Sequence, residues 1–118
     1  MSIMAEPDWA VTAEKTEAVV RRLIATVRPR KLFLFGSFVR GQTQRDSDLD
    51  VLVVVPDWVE NTRKEGSRLR SEVRDILMPM DILVVRESVF AALKERVGLI
   101  YREASRHGRL VYDAEAAG

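Results

Sequence analysis

The chain has 118 residues, with 19 Lys and Arg against 18 Asp and Glu for a formal net charge of +1, and 47% hydrophobic and 31% charged residues. This is the composition of one ordinary globular domain with enough chain to bury roughly two-thirds of its surface, and it excludes disordered, collagen-like and coiled-coil chains. Basic residues scattered rather than blocked argue against direct nucleic-acid binding; zero cysteines exclude disulfides, thiolate zinc sites and a cysteine nucleophile, and a single histidine, His107, excludes histidine-cluster metal sites.

Met1 to Asp8 carries neither a basic nor an apolar leader segment, and the longest apolar run, Val51 to Val55, is far short of the ~20 residues of a membrane span. A cytoplasmic protein without membrane contact is expected. Thr12 to Val27 shows a helical stripe through Val19, Val20, Leu23, Ile24 and Val27, with Thr12 as N-cap, Glu14 in the first turn and Arg28-Pro29-Arg30 as the stop. Leu32 to Phe35 is a continuous apolar run ending at Gly36, as expected of a strand buried on both faces. After a polar stretch, Leu49 to Val55 forms the second strand and Pro56 ends it.

Trp58 to Leu77 predicts a helix with a face through Leu69, Val73, Ile76 and Leu77, closed by Pro79, and Met80 to Val85 the third strand. Ser88 is the expected N-cap of a single last helix whose stripe runs Val89, Leu93, Val97, Ile100 and Ala104 and ends near Gly108. Arg109 to Tyr112 reads as a final strand, followed by a frayed tail. The order α-β-β-α-β-α-β predicts a small α/β (α+β) domain, a mixed sheet with helices on at least one face. Pattern alone leaves several strand orders open.

Asp48 and Asp50 stand two apart at the entrance of the second strand, on one face, and Asp81 starts the third strand among apolar residues. No Lys or Arg lies at matching spacing to balance these charges, whereas a divalent cation would. If the second and third strands are neighbours, the three carboxylates converge as hard oxygen ligands suited to Mg²⁺ or Mn²⁺, the ions that serve phosphoryl and nucleotidyl transfer. Gly36-Ser37 after the first strand supplies a tight turn and free N–H groups for phosphate oxygens. The plainer reading of Asp48 and Asp50, taken alone, is a pair of loop-end carboxylates, and that of Arg40 and Arg45 ordinary loop cations.

Together, Gly36-Ser37-(x2)-Arg40-Gly41-(x5)-Ser47-Asp48-Leu49-Asp50 with Asp81 on a later strand resembles the signature of the DNA polymerase β-like nucleotidyltransferases, and more narrowly the minimal nucleotidyltransferase (MNT) domain. The resemblance spans Thr12 to Tyr112 and implies a single domain over 1–118 with its core at 12–112. It implies that Gly36 and Ser37 hold the triphosphate of ATP, that Asp48 and Asp50 bind two Mg²⁺ ions, and that Asp81 completes one shell and helps deprotonate the acceptor. Arg40 then reaches phosphate or braces the loop, and Ser47 caps the turn that presents Asp48. Proteins of this kind neutralise a HEPN-domain toxin, in characterised pairs by moving AMP from ATP to a toxin tyrosine, so the resemblance implies an antitoxin with a HEPN-type partner, homo- or hetero-oligomeric. Two other readings stay open: an antitoxin that acts by binding alone, and a transferase for a small molecule such as an aminoglycoside or for an RNA 3′ end.

Overall fold

In the computed structural model of the chain, residues 10–36 and 48–117 are described. Helix α1 (Ala13–Val27) begins as its sequence predicts, with the Thr12 hydroxyl accepting from the Lys15 N–H at 3.2 Å. It ends at Arg28, which turns left-handed at φ 50° while its N–H bonds the Ile24 carbonyl; Pro29 has no N–H to continue the helix. Strands β1 (Lys31–Phe35) and β2 (Leu49–Val55) follow, then α2 (Thr62–Glu72), β3 (Met80–Arg86), α3 (Glu87–Leu93), α4 (Ile100–His107), β4 (Arg109–Asp113) and the single turn α5 (Ala114–Ala117).

The sheet order is β3-β2-β1-β4, with β1 antiparallel to both β2 and β4 and β2 parallel to β3. Parallel neighbours need a crossover, and α2 supplies it. One face of the sheet, with Leu32, Leu34, Val51, Val53 and Ile82, packs on Val19 and Leu23 of α1 and Leu69 of α2. The other, with Phe33, Phe35, Leu52, Val54 and Val85, packs on Phe90 of α3 and Ala104 of α4, and the Phe33 and Phe90 rings lie 5.3 Å apart. The two central strands are therefore buried on both faces, which their unbroken apolar runs anticipate, and each such Leu or Val contributes about 1.5–3 kcal/mol. On the edge, the β1–β4 register shifts between Leu32 and Phe33, a bulge that blunts an otherwise open strand.

Several expectations are corrected. The helix expected over Trp58 to Leu77 is confined to Thr62–Glu72, with Asn61 as its N-cap: the Asn61 side chain accepts from the Lys64 N–H at 3.0 Å. Beyond Glu72 the chain tightens into turns, with Ile76 N–H bonded to the Val73 carbonyl, and α1 captures the segment: Arg22 donates to Asp75 and Lys15 to the Leu77 carbonyl. Leu77, expected on the buried face, is 62% exposed, and Trp58 77%. The single last helix is two, because residues 94–99 break it at Gly98, whose φ of 88° no helix accommodates. Its start also differs: α3 opens at Glu87 after Arg86, and Ser88 N–H is capped across the fold by the Asp57 carboxylate at 2.9 Å. The tail expected to fray forms α5, where Asp113 accepts from the Glu115 N–H at 3.0 Å. Trp9 lies outside the described residues.

Candidate active site

Parallel pairing of β2 with β3 sets Asp50 directly opposite Asp81. Neighbouring strands run about 4.8 Å apart, and paired residues of adjacent strands share a face. By alternation from Leu52 and Val54 in β2, and from Leu83 and Val85 in β3, that is the face covered by α3 and α4. It holds both carboxylates at the end of the sheet where β2 and β3 begin and β1 finishes. Asp48 precedes β2 by one residue and is exposed, as is Asp81; Asp50 is half-buried.

The wall on the other side of Asp50 is the end of β1. Phe35 pairs with Asp50, and Gly36 follows in the positive-φ region at 95°. A Cβ built on Gly36 would stand within 3.0 Å of the Asp50 Oδ2 and 3.2 Å from its Cγ. Glycine is required there twice over, for the backbone conformation and for the room that the carboxylate takes. The sequence suggested a glycine that lets the chain turn; the structure adds that the turn is made around Asp50. Ser37, Arg40 and Ser47 lie outside the described residues, as do Gly41 and Arg45.

The donor chemistry suits a hard divalent cation: carboxylate oxygens, two of them side by side on rigid strands, beside a turn stripped of its Cβ. Among the described residues no three carboxylate, imidazole or thiol groups stand close enough together to hold a metal ion by themselves. Asp50 and Asp81 are thus the nucleus of the site, with Asp48 beside them in sequence. Elsewhere, on the α1 side of the sheet, the Arg22 guanidinium that donates to Asp75 holds that carboxyl below its usual range, and the contact raises Arg22 in turn. That pair is exposed and takes no part in the site.

The end of the sheet thus carries two in-register carboxylates on parallel strands, faced by a glycine turn at the end of an antiparallel neighbour. Residues 14–111 match the family described as nucleotidyltransferase domain, and the chain belongs to that family. Among solved structures, the chain is similar to a candidate nucleotidyltransferase from Sulfolobus solfataricus, with a TM-score of 0.59, 22% identity, and coverage of 86% of this chain and 80% of that one. It is also similar to a toxin–antitoxin structure with AMP-PNP, at TM-score 0.52 and 20% identity, covering 86% of this chain and 76% of that one. A mutant MntA-HpeT toxin–antitoxin structure follows at TM-score 0.49 and 17% identity, covering 91% and 76%. The first two likenesses, with the family match, bear out the mixed-sheet nucleotidyltransferase fold expected from the sequence. No curated protein matches the chain.

Proposed function

We propose that this domain transfers AMP from ATP to a hydroxyl of a cognate HEPN-type toxin and so acts as an antitoxin in the cytoplasm. The observation that carries the proposal is the register of Asp50 with Asp81 beside Gly36, in a chain that belongs to the nucleotidyltransferase domain family. The toxin–antitoxin structure similar to this chain was solved with AMP-PNP, an ATP analogue, which supports a nucleotide donor and a toxin partner. Among the described residues no helix is long and apolar enough to cross a membrane.

Asp48, Asp50 and Asp81 would hold two Mg²⁺ ions, with Mn²⁺ as a substitute. Bound there, such ions neutralise the charge developing on the α-phosphate and lower the pKa of the attacking hydroxyl. The chain's own residues do the rest. On the family resemblance, Gly36 and Ser37, with Arg40, would hold the triphosphate through N–H and hydroxyl donors, and Ser47 would cap the turn that presents Asp48. Asp50, paired with Phe35 on one side and Asp81 on the other, has its carboxylate in the space that a Cβ on Gly36 would take. Asp81, at the open edge of the pair, takes the proton of the acceptor hydroxyl as its oxygen bonds to the α-phosphorus and pyrophosphate leaves.

The test incubates the pure protein with [α-³²P]ATP and Mg²⁺, with and without the HEPN-type protein. Label on that protein with wild type, and none with Asp48→Ala or Asp50→Asn at unchanged thermal stability, is the expected result. A tight complex with no label on either chain would overturn catalysis in favour of neutralisation by binding.

A further inference from the structure

The break between α3 and α4 leaves an uncovered surface that the sequence concealed. Residues Lys94 to Ile100 are exposed without interruption, including Val97 at 79% and Ile100 at 41%, the hydrophobic side chains expected to line a buried helix stripe. Beside them α4 carries an open groove of about 380 Å³ lined by Leu99, Ile100, Arg102, Glu103 and His107. Its charge is lopsided. From Lys94 to Arg109 the chain has five Lys or Arg against two Glu, an excess of three cations in a chain whose total is +1.

Arg102 sharpens this: among the described residues its Nε is buried and meets no acceptor. The residue as a whole is half-buried, and a carboxylate is the acceptor that the planar fork of its guanidinium fits. The C-terminal end of α4 lies near the end of β1 that borders the site. Gly108, next to His107, abuts the Leu34 carbonyl, and Arg109 pairs with Leu34, two residues before Gly36. α3 and α4 cover the face of the sheet on which Asp50 and Asp81 lie.

We propose that the Val97–Ile100 break and the α4 groove form the docking surface for the acceptor protein, gripping a segment with an apolar tip and an acidic residue that pairs with Arg102. This rests on the function proposed above and adds to it the surface that brings the acceptor hydroxyl to Asp81. The exposed apolar side chains, Val97, Leu99 and Ile100, are aliphatic and the neighbouring Tyr101 packs on the core, which fits a protein partner rather than RNA, whose bases call for stacking surfaces.

The test measures association of the purified HEPN-type protein with the full chain by calorimetry, in parallel with Mn²⁺·ATP binding to the chain alone. Val97→Glu puts a negative charge at an exposed position, and Arg102→Lys keeps the charge but removes the fork. Val97→Glu is expected to weaken association at least about tenfold and Arg102→Lys about threefold or more, both with Mn²⁺·ATP binding unchanged. Wild-type association by both variants would overturn the proposal. So would loss of self-association in sedimentation, or of binding to a single-stranded RNA oligomer, with acceptor binding intact. If Asp50→Asn leaves Mn²⁺·ATP binding unaltered while Val97→Glu still breaks the complex, the site fails and the docking surface stands.

Discussion

Replacing Gly36 with alanine tests the site where backbone and carboxylate meet, and Gly98 provides the control. Both glycines sit at positive φ, 95° and 88°, so alanine at either strains the backbone by about 1–3 kcal/mol. They differ in what the new methyl meets: at Gly98 there is nothing within 4 Å, and at Gly36 it falls within 3.0 Å of the Asp50 Oδ2, where 3.4 Å or more is ordinary. The colliding group is the end of a short side chain, so the carboxylate swings away by about an ångström or more instead of the strand unpairing. Both variants should lose several degrees of melting temperature, on the order of 5 °C per kcal/mol. Only Gly36→Ala should also lose Mn²⁺·ATP affinity and AMP transfer, by about tenfold to a hundredfold, because a displacement of about an ångström at a ligand is felt in the chemistry. Differential scanning fluorimetry and Mn²⁺ electron paramagnetic resonance read the two effects separately. Gly36→Ala that binds Mn²⁺·ATP as wild type does would refute the claim that the turn is shaped around Asp50.

Gly108→Ala should destabilise by about 1–3 kcal/mol in urea denaturation although its φ is ordinary, because the added Cβ meets two backbone carbonyls, Ala104 and Leu34, that cannot swing aside. Leu69→Ala, which empties a fully buried position between α2 and the sheet, should cost about 2–5 kcal/mol by the same measurement. Thr12→Ala removes the hydroxyl that accepts the Lys15 N–H and should lower stability by about 0.5–2 kcal/mol. Asp75, held by Arg22 below its ordinary carboxyl value of 3.8, stabilises the fold above that value and loses the contribution as pH falls beneath it. The gap in melting temperature between wild type and Asp75→Asn should therefore be present at pH 6 and close as pH drops below 3.8.

Much of the frame was legible because it depends on local chemistry. The Thr12 cap, the arrest at Arg28-Pro29 and the span of β2 each rest on a few adjacent residues, and each stands where the sequence puts it. The unbroken apolar runs of β1 and β2 disclosed burial on both faces. What escaped were decisions made by distant partners. Asp57, 31 residues upstream, caps the Ser88 N–H of α3, and α1 side chains hold the chain after α2 out of a helix through Asp75 and Leu77. The stripe from Val89 to Ala104 kept its period across Gly98, so periodicity alone could not show that its middle faces outward.

The sequence by itself determined the chemistry on offer: three aspartates, a Gly-Ser turn, no thiol and one imidazole, carried on strands whose spacing marks them as neighbours in function. Only the tertiary structure decided that Asp50 meets Asp81, because strand order depends on how α2 crosses between β2 and β3, and no local pattern encodes a pairing across 31 residues. It decided too that Gly36 makes room for Asp50, since close approach of two segments is a property of packed strands rather than of either segment alone.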